Sequence, residues 1–301
     1  MAWTTADIPD LTGKVAVVTG SNSGLGFHIA SDFANAGARV IMACRNPSKA
    51  DDAANKIRSG SPSGTVETMT LDLGDLASVR RCAEQLSTTV DRLDILGNNA
   101  GLMALDESRT VDGFETQFGV NHLGHFALTG LVLPLLLATP QSRIVNHSSF
   151  GHRPGNLHTD DPMFERRRYS RWPAYFQSKL ANLLFTFELQ RRLQRIGAST
   201  IAVAAHPGAS HTDLGVEGSG VLNKLVGPLG RLYTQSAAKG ALPFVRAATD
   251  PSVLGGAFYG PRFMMWGSPR LETPTRRARD AATAATLWTM SEELTDVSYL
   301  D

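Results

Sequence analysis

The sequence predicts an α/β protein built on one mostly parallel, doubly wound sheet with helices on both faces. Short apolar runs rich in β-branched residues alternate with amphipathic segments of helix length, and no repeat, low-complexity tract or long linker interrupts the order. Strands that alternate with helices of ten or more residues pair in parallel and are covered on both faces. We therefore expect residues 1–301 to form a single domain.

The elements can be followed in order along the chain. KVAVVTG at 14–20 predicts the first buried strand, and the apolar spacing from Phe27 to Ala34 predicts the first helix. ARVIMAC, SKADDAANKIRS and TVETMTLDL predict the second strand, second helix and third strand. The alternation continues through LASVRRCAEQLST, RLDILGNNAG, a long helical region from Asn121 to Leu137, SRIVNHSS, a helix around Tyr175, and STIAVAAHPG.

Two segments, 150–172 and 208–232, concentrate Gly, Pro, Ser and Arg and are predicted to be irregular. In a doubly wound sheet, ligands bind beyond the carboxyl ends of the strands, where such loops lie. We expect these two segments to border a substrate site. Apolar residues in the second segment favour an apolar substrate.

The composition excludes several classes of protein. A hydrophobic content of 42% and a mean hydropathy of −0.11 fit a chain that buries a sizeable core in water. The net charge of +1 gives no general reason to expect nucleic acid, and the eight histidines match no compact zinc pattern, so no metal is expected. With two cysteines, no signal peptide and only a short, proline-broken apolar run at Leu131 to Leu137, we expect a cytoplasmic protein without a membrane span.

A glycine-rich turn, TGSNSGLG, separates the first strand from the first helix. Glycines let the backbone turn tightly and approach a ligand, and a helix N-terminus favours a pyrophosphate. The spacing is neither G-x-G-x-x-G nor a triphosphate loop, but the strand–turn–helix context predicts a Rossmann-type dinucleotide site. Its candidate residues are Gly20, Ser21, Asn22, Ser23, Gly24, Leu25 and Gly26.

The end of the second strand bears on which dinucleotide binds. Sites for NAD place an acid there to hold the ribose 2′-hydroxyl, whereas an arginine accommodates the 2′-phosphate of NADP. The sequence reads Cys44-Arg45-Asn46, without an acid. Because Arg45 can hold a phosphate with paired, charge-assisted hydrogen bonds, we expect NADP(H) to be preferred, with NAD(H) left open.

Tyr175 and Lys179 lie four residues apart in a predicted helix of about twenty residues and therefore share one face. A phenol titrates near pH ~10, so acid–base work near neutral pH needs a shift of about three pH units, or about 4 kcal/mol. An ammonium about 4 Å away contributes about 1 kcal/mol in water but about 4 kcal/mol at an effective dielectric of ~20. The pair can perform chemistry only in a sheltered cleft.

Together these stretches resemble the short-chain dehydrogenase/reductase family. The resemblance covers residues 14 to about 214 in the order that the family shows. It is carried by TGSNSGLG, LDL with Asp72, NNAG at 98–101, VNHLG with Asn121, RIVNHSS with Ser149, Tyr175-x-x-x-Lys179, and HPG with Thr212 following. The family is a class of NAD(P)-dependent oxidoreductases.

The resemblance implies a catalytic set of Ser149, Tyr175, Lys179 and Asn121. Tyr175 would be the general acid in reduction or the base in oxidation, and Lys179 would lower the tyrosine pKa and hold the nicotinamide ribose. Ser149 would hydrogen-bond the substrate oxygen, and Asn121 would hold a water in a proton relay. Beyond the glycine turn, Arg45 and the Tyr–Lys pair, the implied cofactor contacts are Asp72, Leu73, Asn99, Ala100, Gly101, Pro207, Gly208 and Thr212.

Within the family, the chain resembles the branch of the retinol dehydrogenases and, more distantly, the light-dependent protochlorophyllide reductases. The signs are ACRN, a long stretch between Ser149 and Tyr175, and HPG. Two residues depart from the family pattern. Gly97 stands where a β-branched residue is usual and should weaken its strand by roughly 0.5–1 kcal/mol, and His147 occupies a usually apolar place. Either could reshape the floor of the cofactor site.

These features predict an NADP(H)-dependent enzyme that interconverts a fairly apolar alcohol with a ketone or aldehyde. A carbon–carbon double-bond reductase of the same fold and a non-catalytic dinucleotide-binding scaffold remain alternatives. The family often assembles across a two-fold axis, so a homodimer or homotetramer is a further expectation.

Overall fold

The computed structural model describes residues 2–209 and 235–300 and places its strands on the apolar runs of the sequence. The strands are β1 (Val15–Thr19), β2 (Arg39–Cys44), β3 (Thr65–Thr70), β4 (Ile95–Asn98), β5 (Arg143–His147), β6 (Ile201–Ala205), β7 (Phe258–Pro261) and β8 (Pro269–Leu271). They form one sheet in the order β3-β2-β1-β4-β5-β6-β7-β8. All neighbours are parallel except β7 and β8. The predicted mostly parallel sheet is confirmed.

The helices cover both faces of this sheet. They are α1 (Gly24–Asn35), α2 (Pro47–Ser59), α3 (Leu76–Thr89), the short α4 (Thr116–Phe118), α5 (Gly124–Ala138), α6 (Arg171–Arg195), α7 (Ala237–Thr249) and α8 (Ala281–Thr295). One core cluster joins α1, α2 and α7 to the sheet, and another joins α3, α5 and α6 to its opposite face. Successive β1 residues alternate between the two clusters, as the period of a strand requires.

The order of the strands locates the ligand crevice. From β1 the chain moves outward to β2 and β3 and then returns to the other side of β1 as β4. Ligands of such sheets bind beyond the carboxyl ends of the strands where the order reverses. The crevice is therefore expected between the loops that follow β1 and β4, where the glycine-rich turn and NNAG lie.

Gly97 does not leave the gap in β4 that the sequence suggested. A Cβ at this position would stand 3.2 Å from Phe244 Cζ and 3.2 Å from the carbonyl oxygen of Val17. The Phe244 ring, fully buried in α7, fills the space that a side chain would take. A residue 147 positions further along the chain thus supplies the volume at Gly97, and the expected weakening of the strand stays a prediction.

The long apolar helix predicted from Asn121 to Leu137 is part of a longer helical stretch. Residues Thr116–Ala138 run from α4 through a π-helical turn, Gly119–Leu123, into α5. By length and composition this stretch could cross a membrane, but 67% of its most apolar window is buried inside the protein. Its apolar composition is accounted for by packing against the sheet and α3.

The segment 150–172 is irregular, as predicted, but it is well organised. A 3₁₀ turn spans Phe150–His152, and α6 begins at Arg171. Between them Asp161 accepts backbone N–H groups from Glu165, Arg166 and Arg167, which explains how a loop without regular structure keeps one conformation. The other predicted irregular segment lies almost wholly outside the described residues, as does Thr212.

Candidate active site

A cavity of about 400 Å³ opens beyond the carboxyl ends of β1, β2, β4 and β5. Many of the residues singled out from the sequence line it: Gly20, Asn22, Ser23, Gly24, Leu25, Gly26, Arg45, Asp72, Leu73, Asn99, Ala100, Gly101, Tyr175, Lys179 and Pro207. Lining residues that the sequence did not single out as site residues include Ala43, Asn46, Lys49, Leu71, Leu102, Met103, Val120, His147 and Ser148.

The glycine turn packs too tightly for larger residues. Gly20 and Gly24 have φ values of +61° and +54°. At Gly26 a Cβ would stand 2.4 Å from the Gly20 carbonyl oxygen and 2.6 Å from Asn99 Nδ2. Ser21 differs from its neighbours because its hydroxyl turns into the core and donates to the carbonyl of Val18. Only the backbone of Ser21 is left to contact a ligand in the cavity.

The floor of the cavity ties the end of β1 to the end of β4. Thr19 Oγ1 accepts hydrogen bonds from the backbone N–H groups of Asn99 (3.0 Å) and Ala100 (2.9 Å). Asn99 Nδ2 donates in return to the carbonyl oxygens of Thr19 (2.9 Å) and Gly20 (3.4 Å). The NNAG stretch therefore holds the glycine turn in place as well as lining the cavity.

The end of β2 presents two cations to the cavity. Arg45 and Lys49 both line it, and neither forms an ion pair with any residue in 2–209 or 235–300. Between them Asn46 caps α2 by accepting the Lys49 N–H at 3.0 Å. Lys49 could have been found from the sequence, because it lies in the first turn of the helix that directly follows Arg45.

Tyr175 and Lys179 are both buried on α6, with Lys179 Nζ 5.8 Å from the centre of the tyrosine ring. The Ser149 side chain lies close to the Tyr175 hydroxyl, and Ser149 Oγ accepts the Gly151 N–H at 3.0 Å. The structure thus brings three of the four predicted catalytic side chains together, although Ser149 lies just outside the lining of the cavity.

Burial dominates the protonation of this pair. It raises the pKa of Tyr175 to about 12, against the opposing effect of the Ser149 hydrogen bond. Burial also lowers the pKa of Lys179 to about 8. The sequence argument expected Lys179 to lower the tyrosine pKa. The protein's own groups instead hold the phenol protonated near neutral pH, because losing water costs the tyrosinate more than the nearby Ser149 side chain returns.

Asn121 lies in the π-helical turn, with both amide donors occupied. Its Nδ2 donates to the Leu102 carbonyl and to Ser178 Oγ, both at 2.9 Å, and its Oδ1 accepts the Leu102 N–H at 2.7 Å. A Cβ on Gly101 would lie 3.1 Å from Lys179 Nζ and 3.2 Å from Asn121 Oδ1. Glycine at 101 therefore lets the lysine and the asparagine approach the same point, and the relay role of Asn121 stays a prediction.

The turn after β6 is held from behind by a histidine. Gly208 has φ +66° and does not line the cavity, whereas Pro207 does. His206 Nδ1 accepts the Gly208 N–H at 3.2 Å, and its Nε2 lies 3.2 Å from Glu272 Oε2. Sequence reasoning had not used Glu272, and no local signal connects it to a turn 64 residues earlier.

Aromatic and apolar side chains surround the reactive tyrosine. The Trp172 ring lies 6.2 Å from Tyr175 and 5.7 Å from Phe176, and Leu102 and Met103 line the cavity. The arginines of the nearby FERRRYSRW stretch are largely paired: Arg166 with Asp160, Arg167 with Asp161 and Arg171 with Asp106.

Comparison with known proteins gives a consistent result. A family model described as short chain dehydrogenase matches residues 14–219. Human retinol dehydrogenase 12 is 42% identical over 291 residues, which covers 96% of this chain and 88% of that protein. Human retinol dehydrogenase 13 is 39% identical over 290 residues, with 94% and 85% covered.

Solved structures agree with these relatives. A structure of an uncharacterized protein from Mycobacterium paratuberculosis is 45% identical, with a TM-score of 0.84 and 99% of each chain covered. A structure described as an NAD(P)-dependent gluconate 5-dehydrogenase from Beutenbergia cavernae, with bound NADP at low occupancy, is 26% identical with a TM-score of 0.66. It covers 83% of this chain and 96% of the other.

Proposed function

The chain belongs to the short-chain dehydrogenase family and is an NAD(P)-dependent oxidoreductase of the retinol dehydrogenase-like branch; on that premise we propose that it interconverts an alcohol with a ketone or aldehyde using NADP(H). The observation that carries this proposal is one cavity lined both by Tyr175 and Lys179, with Ser149 just outside it, and by Arg45 and Lys49. The first group suits a substrate oxygen, and the second suits a phosphate.

The residues of the cavity fit a nicotinamide dinucleotide phosphate. Glycines 20, 24 and 26 leave the backbone bare at the N-terminus of α1, where a pyrophosphate is favoured. Arg45 and Lys49 would hold the 2′-phosphate, because both are cations without an acidic partner among the described residues. The cofactor supplies the hydride when bound, and the protein supplies position and a proton.

Proton transfer is the task proposed for the Ser–Tyr–Lys group. Tyr175, held protonated by burial, would give its proton to the substrate oxygen in reduction. Ser149 would hydrogen-bond the same oxygen, since its side chain lies close to the tyrosine hydroxyl. Lys179, whose Nζ donates to the His147 carbonyl at 3.3 Å, would stabilise the tyrosinate that remains.

The proposed substrate is a fairly apolar alcohol or carbonyl compound. The support is the aromatic neighbours of Tyr175, Trp172 and Phe176, the apolar Leu102 and Met103 in the cavity lining, and the names of the retinol dehydrogenase relatives. The cytoplasmic location and the homodimer or homotetramer stay predictions.

The first experiment is a fluorescence titration of NADPH and NADH against the wild type and Arg45→Ala. We expect NADPH to bind at least about ten-fold more tightly than NADH, and the preference to collapse in the variant, because a charge-assisted hydrogen bond contributes about 1.5–3 kcal/mol. Arg58→Ala, in the last turn of the helix that follows Arg45 and outside the cavity, is the control and should keep the preference. Equal binding of both cofactors by the wild type would refute the NADP assignment.

A further inference from the structure

His147 is the only histidine among the described residues that lines the cofactor cavity, and it stands where the family usually has an apolar residue. It ends β5 and is 4% exposed. Its ring centre lies 5.3 Å from that of Phe244, the side chain that fills the space above Gly97. The two departures from the family pattern therefore meet at one place in the fold, beneath the cavity.

The polar contact of this ring is with the cavity floor. His147 Nδ1 lies 2.9 Å from Oδ1 of Asn99, the residue that follows the neighbouring strand β4. The orientation of the Asn99 amide follows from its other contacts, because the carbonyl oxygens of Thr19 and Gly20 can only accept and so face Nδ2. Asn99 Oδ1 is left facing the histidine as an acceptor.

The protonation of the ring follows from the same contacts. Burial, together with the nearby charge of Lys179, holds the pKa of His147 well below its usual value, so the imidazole is neutral. A neutral imidazole whose Nδ1 faces an acceptor must carry its proton on Nδ1. Its Nε2 has no hydrogen-bond partner within residues 2–209 and 235–300. The single hydrogen bond to Asn99 is thus the polar contact that this side chain makes there.

We propose that His147 is a positioning residue for the cofactor. His147 Nδ1–H donates a hydrogen bond to the Asn99 amide oxygen and so fixes the orientation of the amide. The amide nitrogen then donates to the carbonyls of Thr19 and Gly20, which keeps the glycine turn in its shape. The inference rests on the proposed function, since it assumes that the cavity binds a dinucleotide. Phe244 packs on the ring and helps to fix its orientation.

Two substitutions separate this role from packing. His147→Asn keeps an N–H donor near the place of Nδ1, whereas His147→Val removes the donor and keeps a small side chain. We expect His147→Val to weaken NADPH binding roughly three- to ten-fold, as the loss of one buried hydrogen bond would, and His147→Asn to restore most of the affinity. In an Asn99→Ala background, His147→Val should have no further effect on affinity.

Ser142→Ala is the matched control. Ser142 is fully buried just before β5, at the opposite end of the strand, where its hydroxyl donates to Leu136 O at 2.7 Å. This variant should lower the melting temperature without changing NADPH affinity. If His147→Val also melts earlier but binds NADPH as the wild type does, or if His147→Asn binds no better than His147→Val, the proposal is wrong.

A spectroscopic measurement on the wild type does not depend on how the variants fold. The ¹⁵N chemical shifts of the His147 ring should show a neutral imidazole with its proton on Nδ1, and a proton on Nε2 would overturn the proposal. Failure of the proposed function would look different: the wild type would bind neither NADPH nor NADH, whatever the tautomer of His147.

Discussion

At the scale of single residues, burial shifts the pKa values of Tyr175 and Lys179 more than nearby charges do. Tyr175 and Lys179 are each less than a tenth exposed, and burial raises the pKa of the first to about 12 while lowering that of the second to about 8. A cationic nicotinamide favours the tyrosinate, so it can oppose the effect of burial on the Tyr175 pKa only while it is bound. Two predictions follow from this balance.

Tyr175→Phe should lower turnover by roughly 10²–10⁴-fold, because general acid–base catalysis contributes about that much. Affinity for NADPH should change only a few-fold, since the phenol hydroxyl is not needed to hold the phosphates. Steady-state kinetics and fluorescence titration measure the two quantities. Tyr259→Phe is the control, because Tyr259 is buried in β7 away from the cavity lining and should keep its turnover. A Tyr175→Phe enzyme with more than a tenth of wild-type turnover would exclude the tyrosine as the acid.

Lys179→Met should stabilise the protein near pH 7 even though it impairs catalysis. The folded pKa of about 8 lies below the ordinary 10.5, so between these values the unfolded chain holds a proton that the folded chain lacks. Wild-type stability therefore rises with pH across this window, and below pH ~8 the buried ammonium costs up to about 3 kcal/mol. The advantage of the variant should shrink above pH ~8 and vanish by pH ~10.5.

Urea unfolding at several pH values measures this effect. Lys56→Met, at an exposed position on α2, is the matched control and should show no such trend. A difference between Lys179→Met and wild type that stays constant from pH 7 to pH 10.5 would contradict the assignment of the cost to the lysine charge.

At the scale of elements, a side chain of α7 packs against a glycine of β4. Gly97 leaves room in the strand, and Phe244 of the helix occupies it with its ring edge 3.2 Å from where a Cβ would stand. The same ring lies over His147 at the end of β5. One side chain, Phe244, thus contacts both positions at which the adjacent strands β4 and β5 depart from the family pattern.

Gly97→Val should destabilise the protein by about 1–3 kcal/mol, because the new side chain overpacks a filled site. Phe244→Leu in the same chain should recover part of that loss by vacating the space. Thermal unfolding of the two single variants and the double variant gives the interaction between the sites. If the losses of the single variants simply add, the two residues do not compete for one space.

At the scale of the whole molecule, the C-terminal residues close the core on one face of the sheet. Trp288 of α8 packs against Phe126 of α5 and Phe185 of α6, with ring centres 5.1 and 5.9 Å apart. Tyr299 lies 4.7 Å from the Trp288 ring and donates its hydroxyl to the Phe126 carbonyl at 3.1 Å. Residues near the end of the chain thus complete the packing of helices near its middle.

Trp288→Ala should therefore lower the free energy of unfolding by about 3–5 kcal/mol, since it opens a large cavity in a closed core. Trp266→Ala offers a matched comparison within the same chain, because Trp266 is 52% exposed and should change stability by no more than about 0.5 kcal/mol. Urea unfolding of both variants checks this, and equal losses would show that the C-terminal packing is not part of the cooperative core.

Much of the fold could be read from local pattern. The period of the apolar residues located β1, α1, β2 and α2 to within a few residues, because burial of one face imposes that period wherever the chain folds back. The antiparallel strand β8 and the seven-residue loop that joins it to β7 were not foreseen, since short edge strands carry little periodic signal. The ion pairs of the arginines in 164–172 were not foreseen either, because their acidic partners, such as Asp161 and Asp106, lie outside that stretch.

By itself, the sequence determined the alternation of strands and helices, the glycine turn, and the resemblance that shows the family, because these depend on spacings within short stretches. Only the tertiary structure decided that burial keeps Tyr175 protonated, that Lys49 joins Arg45, that Phe244 occupies the space of Gly97, and that His147 meets Asn99. The physical reason is the same in each case. Dielectric, volume and hydrogen-bond partners are supplied by residues far apart in the chain, and they act only once the sheet brings them together.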